Sequence, residues 1–379
     1  PSKTSSGRLC QVTEMASKKK VINFCAGPSK LPEEVLEGVQ KELVCYDNTG
    51  ISVMEMSHRS ADYENINNKA QALLRKILDI PDNYSILFLQ GGGTGLFAAV
   101  AMNLINRTGS ADYFVTGSWS AKAAKEAAKY GKVNLILPKT DKYIEVPPPS
   151  TWKLDPNASY VYYCDNETVH GVEFEDIPDT KDVPLVADMS SNFLTRRFDI
   201  KKFGVVFAGA QKNIGPSGAV VVIVRKDLLG KPMPICPLVF DFTVMDKDNS
   251  LHNTPPTFCI FVIMRVFEWI LKLGGLEAME KQSNTKGNLV YSAIEESNGF
   301  YQCPVKPKNR SRVNVPFTIK AGSEMETKFL KAAQQQGMIQ LKGHRSVGGI
   351  RASLYNALTV EEVKIFVEFM RDFEKNNKN

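Results

Sequence analysis

The chain has 379 residues, 43% of them hydrophobic, which is enough to bury a large core and to divide into two domains. Its 47 basic and 41 acidic residues leave a net charge of only +6, and the lysine runs lie near the ends, at Lys18–Lys20 and around Lys375 and Lys378. Solvated tails account for such runs, so no nucleic-acid partner is expected.

The first fourteen residues are polar, and Met15 opens Met-Ala-Ser-Lys-Lys-Lys. Residues 1–20 are therefore expected to be a disordered or expression-derived extension, with Met15 as the native start. No hydrophobic leader is visible, which makes a cytosolic (cytoplasmic) enzyme the default expectation. After a turn-rich opening at 23–32, residues 32–43 and 62–78 show helical spacing. A strand at 85–89 runs into Gln90-Gly-Gly-Gly-Thr-Gly95 and then a helix over 96–105. Strands are predicted at 113–116, 133–137, 160–163, 185–187, 205–208 and 220–224, with helices such as 121–130 between them. This alternation predicts an α/β fold: a parallel or mixed sheet covered by helices on both faces. The most apolar segment, 258–273, contains Arg265, Glu268 and Lys272 and is shorter than the ~20 residues of a membrane span, so it reads as a core helix. From about Gly274 the pattern changes to a long polar helix, a Pro/Lys-rich connection at 303–312, a strand at 313–319 and two amphipathic helices. The expected division is a large domain over 31–273 and a smaller α+β domain made of 21–30 with 274–379. Seven cysteines, odd in number and without C-x-x-C spacing, argue against a disulfide framework or zinc site, and no metal is expected.

Two of these strands present chemistry at their carboxyl ends. Val183-Pro-Leu-Val-Ala187 is followed by Asp188, and Val205-Val-Phe-Ala-Gly-Ala-Gln leads into Lys212, between small residues. In an open α/β sheet that edge binds ligands. A lysine amine can condense with the aldehyde of pyridoxal phosphate, and a carboxylate can pair with its pyridine nitrogen. An isolated lysine in a strand-to-turn connection is more often a surface residue. The pairing with Asp188 argues otherwise.

The remaining motifs are weaker one by one. Gly91-Gly-Gly-Thr-Gly95 at a helix start can offer amides to a phosphate or be a plain tight turn, and it lacks the dinucleotide and triphosphate patterns. Trp119, in Gly117-Ser-Trp-Ser120, can stack on a ring or fill a core. His58-Arg59 and His344-Arg345, the latter followed by Arg351, provide charged donors for a doubly anionic substrate, or sit in solvated loops. His170 and His252 read as structural, although Thr168, Asn253 and Thr254 beside them can donate hydrogen bonds.

Taken together, Asn23-Phe24, Ala26-Gly-Pro28, Met56-Ser-His-Arg59, Gln90-Gly-Gly-Gly93, Gly117-Ser-Trp119, Glu167-Thr-Val-His-Gly171, Ala187-Asp-Met-Ser-Ser-Asn192, Gly209-Ala-Gln-Lys-Asn213, Asn253-Thr-Pro-Pro256 and Gly343-His-Arg345 with Arg351 span nearly everything after residue 20. In that order they resemble the phosphoserine aminotransferases, fold-type I pyridoxal-phosphate enzymes of class V. The resemblance implies that Lys212 holds the cofactor and shuttles a proton, that Asp188 pairs with the ring nitrogen, and that Trp119 stacks on the ring. It further implies phosphate contacts from Gly93, Thr94, Ser190 and Gln211, a contact of Thr168 with the ring's hydroxyl side, and Asn253 and Thr254 reaching in from the other subunit of a homodimer. Arg351 would anchor the α-carboxylate. His344, Arg345 and the partner's own copies of the His58 and Arg59 motif would clamp the distal anion of glutamate or 3-phosphohydroxypyruvate. Related fold-type I enzymes, such as serine–glyoxylate aminotransferases and cysteine desulfurases, share the Asp and Lys but not the two His-Arg clamps. A dinucleotide-binding α/β protein would use the glycine turn alone.

Overall fold

The computed structural model describes residues 21–378, so the reading of 1–20 as an extension lies outside the described residues. Seven strands form the central sheet: β1 (Tyr84–Leu89), β2 (Ser110–Tyr113), β3 (Lys132–Leu135), β4 (Val161–Cys164), β5 (Leu185–Asp188), β6 (Val205–Gly209) and β7 (Val220–Arg225). Their spatial order is β1-β7-β6-β5-β4-β2-β3. β7 runs antiparallel to both its neighbours, and the pairs from β6 outward to β3 are all parallel. The sheet is therefore mixed.

Strands covered on both faces must be apolar on both, and β4, β5 and β6 are buried at every position. The pleat then sorts alternate residues to opposite cores. Val206, Ala208, Val221 and Ile223 face a core shared with helices Ala61–Leu78 and Thr257–Lys272. Val205, Phe207, Val220 and Val222 face another, closed by helices Gly92–Leu104 and Ser118–Ala127. A third core gathers Ile22 and Phe24 with residues of Gly275–Glu296, of the three-stranded sheet Tyr301–Gln302, Asn314–Ile319 and Ile350–Ser353, and of helices Ser323–Gln335 and Val360–Asn377. Ile22 pairs in parallel with Met338, which stitches the start of the described chain to this later part.

Several boundaries differ from the sequence expectation, each for a physical reason. β2 starts at Ser110, three residues before the expected strand, because Asp112 is buried there with its carboxylate accepting from Asn134 Nδ2 at 3.0 Å and the Asp155 amide at 2.6 Å. A polar strand residue satisfied this way breaks the apolar run that sequence reading relies on. The helix expected from Leu96 begins at Gly92, its first turn built from glycines of poor helix propensity, with Gly91 at φ 90° and Gly92 at φ 62°. The helix expected from Ala121 begins at Ser118, which brings Trp119 into its first turn.

Among the described residues, no helix is long and apolar enough to cross a membrane. The six described cysteines are free thiols, and no cluster of metal-ligating side chains occurs among the described residues.

Candidate active site

β5 and β6 lie side by side and parallel, so their carboxyl ends open on the same edge of the sheet. Asp188 is the last residue of β5, and Lys212 follows β6 by three residues; both are buried. The Asp188 carboxylate accepts a hydrogen bond from the Ser190 amide through Oδ1 at 2.8 Å. The Lys212 ammonium donates to Thr168 Oγ1 at 2.6 Å, and its nitrogen stands 5.8 Å from the centroid of the Trp119 ring. Burial pushes the Lys212 amine below its usual range, opposed by the negative charge of Asp188 and assisted by the cation of Arg351. Burial likewise raises the Asp188 carboxyl, with the Ser190 hydrogen bonds and Lys212 pulling it back. A buried amine whose pKa is lowered, in the same pocket as a buried carboxylate, suits carbonyl condensation.

One pocket collects Gly93, Thr94, Trp119, Thr168, Asp188, Ser190, Gln211 and Lys212. It is fed by four structural sources: the glycine turn after β1, the first turn of Ser118–Ala127, the segment after β4 that carries Thr168, and the ends of β5 and β6. Beside Lys212, Gly27 holds φ 138°, a conformation favouring glycine, and a Cβ there would lie 3.4 Å from Lys212 Cγ, in ordinary contact. Trp119 Nε1 is buried without a hydrogen-bond partner, an indole donor of the kind that polar ligand atoms satisfy.

The pocket also contains residues that the sequence reading did not assign to it: Phe97, Cys164, Asn166 and Ser191. Asn166 Nδ2 donates to Ser191 Oγ and Asn314 Oδ1, both at 2.8 Å, tying the pocket wall to the three-stranded sheet. Glu167 was also missed as a positioning group. Its fully buried carboxylate accepts from the Trp119 amide at 3.0 Å, the Ser120 amide at 2.8 Å and Ser120 Oγ at 2.6 Å. Three donors and the positive end of the helix dipole stabilise the charge, while burial raises its pKa. The helix that carries Trp119 is thus capped by a residue from another part of the chain. No local pattern around Gly117 signals this.

The proposed substrate residues divide into two groups. Arg351, on strand Ile350–Ser353, is half-buried and donates from Nη1 to the Thr168 carbonyl at 3.2 Å, which places it beside the Lys212–Thr168 pair. His344 bonds Ser346 Oγ at 2.7 Å; burial first, then the cations Arg351, Lys122 and Arg345, hold its imidazole below the usual range. Arg345 is exposed. His170 bonds Ser118 Oγ at 2.9 Å and packs edge-on against Tyr143. None of these residues lines the pocket itself, and neither do His58, Arg59, Asn253 or Thr254 of the same chain. Arg59 is exposed just ahead of Ala61–Leu78, and the Thr254 carbonyl accepts from Gln90 Nε2 at 3.1 Å.

Residues 21–366 match the aminotransferase class-V family model. The chain belongs to the class-V aminotransferase family. It is a transaminase, and its relatives extend along its length. A phosphoserine aminotransferase of Drosophila melanogaster is 61% identical over 95% of this chain and 100% of its own, and a chloroplastic phosphoserine aminotransferase of Arabidopsis thaliana is 50% identical over 95% and 84%. Among solved structures, phosphoserine aminotransferase from Bacillus circulans subsp. alkalophilus superposes with a TM-score of 0.92 at 45% identity, over 94% of this chain and 99% of its own. The pyridoxal-phosphate-bound phosphoserine aminotransferase of Trichomonas vaginalis gives 0.90 at 41%, over 93% and 100%. The class-V transaminase therefore has the fold-type I architecture of these structures.

Proposed function

We propose that this transaminase moves an amino group between L-glutamate and 3-phosphohydroxypyruvate, forming 2-oxoglutarate and O-phospho-L-serine for L-serine biosynthesis, with pyridoxal 5'-phosphate bound in the pocket. The observation that carries the proposal is the buried Lys212 and Asp188 on adjacent strand ends, one pocket wall away from the indole of Trp119. These groups suit the cofactor: a carboxylate for a ring nitrogen, an amine for an aldehyde, an aromatic face, and amide or hydroxyl donors from Gly93, Thr94, Ser190 and Gln211 for a phosphate. When bound, pyridoxal phosphate supplies a ring that accepts the electron pair left on the substrate α-carbon.

The chain's own residues do the rest. Asp188 keeps the ring nitrogen protonated, and Thr168 orients the Lys212 amine through the bond at Oγ1. Lys212 Nζ would take the proton from the α-carbon of the amino donor and deliver one to the α-carbon of the amino acid formed. Arg351 binds the α-carboxylate. His344 and Arg345, with the His58 and Arg59 motif contributed by a second copy of the chain, bind the distal carboxylate or phosphate, and Asn253 and Thr254 of that copy complete the cofactor's phosphate site. The exposed Arg59 and the unpartnered, buried His58 Nε2 fit a surface completed by a homodimer. The proposal includes the division into a large domain over 31–273 and a small one of 21–30 with 274–379, and a cytoplasmic setting, which suits six free thiols.

A paired assay tests the substrate choice. With glutamate as donor, 3-phosphohydroxypyruvate should be consumed and pyruvate should react poorly, because only the former supplies the second anion. Equal rates with both would overturn the clamp reading.

A further inference from the structure

Helix Gly275–Glu296 looks polar in sequence, yet Lys286 at its centre is completely buried. Its ammonium donates to the carbonyls of Tyr355 at 2.7 Å and Leu358 at 2.9 Å, the two ends of a turn closed by the Leu358 amide on the Tyr355 carbonyl. Burial brings the amine down to about 7, outweighing Glu362, which favours the charge, and aided by the cation of Lys30. The Glu362 carboxylate is already engaged, since Lys30 Nζ bonds both its oxygens at 2.7 Å. Burying a lysine for two backbone carbonyls is costly unless the turn it holds matters.

That turn belongs to a closed ring of contacts through the active site. Within it, the Asn356 amide donates to Asn213 Oδ1 at 3.0 Å, and Asn356 Nδ2 donates to the Leu194 carbonyl at 2.8 Å. Asn213 is the residue after Lys212 and itself donates to the Ser191 carbonyl at 3.2 Å. In the other direction the turn leads back along Ile350–Ser353 to Arg351, which bonds the Thr168 carbonyl, and Thr168 Oγ1 receives Lys212 Nζ. Tyr355 pins the same turn to the opening segment, its hydroxyl donating to the Ala26 carbonyl at 2.8 Å. Lys212 and Arg351 are thus linked twice, once directly through Thr168 and once around the turn.

We propose that Lys286 is a positioning residue that sets the spacing between Arg351 and Lys212 by gripping the Tyr355–Leu358 turn. The inference rests on the reading of Arg351 as the carboxylate anchor. Lys286 touches neither substrate nor cofactor; it acts on how well a carboxylate at Arg351 is presented, so binding should suffer more than turnover.

The test compares wild-type holoenzyme with Lys286→Met, Asn356→Ala and Arg351→Ala. Calorimetry gives the affinity for glutarate, a dicarboxylate with no amino group to transfer, and steady-state assays give KM and kcat for glutamate. Lys286→Met should weaken glutarate and raise KM about tenfold, the worth of a charge-assisted hydrogen bond, with kcat within about twofold. Asn356→Ala, which removes the turn's side-chain bond to the Leu194 carbonyl without touching the ammonium, should move the same quantities in the same direction and tests the turn where Lys286→Met does not fold. Amide hydrogen exchange over 354–358 should quicken in both variants. Wild-type glutarate affinity in Lys286→Met and Asn356→Ala, alongside a loss in Arg351→Ala, would overturn the role of Lys286 alone. Unchanged affinity in Arg351→Ala would remove the anchor reading and this inference with it.

Discussion

Replacing Glu167 by glutamine puts an amide beneath the first turn of Ser118–Ala127, where a carboxylate now receives three donors. The better orientation keeps the amide oxygen on the Ser120 amide and hydroxyl and turns the NH2 toward the Trp119 N–H. That backbone donor is then unsatisfied in a buried site, at a cost of about 1–3 kcal/mol. Burial already raises the Glu167 carboxyl, so a neutral amide recovers part of the desolvation cost, leaving a net loss of about 1–2 kcal/mol. For a chain of this size that lowers the thermal midpoint by roughly 1–3 °C. The second effect is on Trp119, whose backbone loses its fixed hydrogen bond. Aromatic stacking is worth about 0.5–1.5 kcal/mol, so loosening it should weaken pyridoxal phosphate binding roughly two- to tenfold. Thermal unfolding of cofactor-free protein and a cofactor titration measure the two effects separately. A glutamine variant with both the wild-type midpoint and wild-type cofactor affinity would show that the Glu167 carboxylate neither stabilises this helix nor positions Trp119.

Gly117→Ala should act on the same cap by steric means, because its Cβ would lie 2.3 Å from Glu167 Cδ, and a drop in thermal midpoint at least as large as that of Glu167→Gln is expected in the same assay. Arg59→Ala and Lys212→Ala should each abolish transamination, yet mixed dimers of the two should regain part of it; mixed dimers shown to form by mass spectrometry that remain inactive would contradict cross-subunit donation. Lys286 gives a pH prediction. Its native value of about 7 lies below the 10.5 of an exposed lysine, so between those pH values the unfolded chain binds more protons and stability rises with pH. The rise, at most about 1.4 kcal/mol per pH unit from this group, should be absent in Lys286→Met, as read from denaturant unfolding at pH 7 and 9.

The α/β pattern and the paired strand ends at Asp188 and Lys212 were legible because buried parallel strands read as continuous apolar runs, and both residues interrupt such runs at their ends. What was not legible depends on contacts between distant parts of the chain. Asp112 looks like a strand breaker until Asn134 and the Asp155 amide satisfy it. Glu167 caps a helix that begins 49 residues before it, and Gly117 offers no side chain to mark the start. Lys286 sits among polar neighbours, and only the folded turn at Tyr355–Leu358 supplies its two acceptors. Arg59 and Thr254 were recognisable as motif residues, but one chain does not bring them to its own pocket.

Amino transfer from glutamate to a phosphorylated keto acid at Lys212 leaves a spectroscopic trace. The most direct measurement is the visible absorbance of the pyridoxal-phosphate-loaded protein, followed through successive additions of glutamate and 3-phosphohydroxypyruvate. A visible band should bleach with glutamate, return with 3-phosphohydroxypyruvate and be absent in Lys212→Ala. A band that bleaches with glutamate and does not return with the phosphorylated acid would contradict the proposed acceptor, and an unchanged band in Lys212→Ala would contradict the assignment of the lysine.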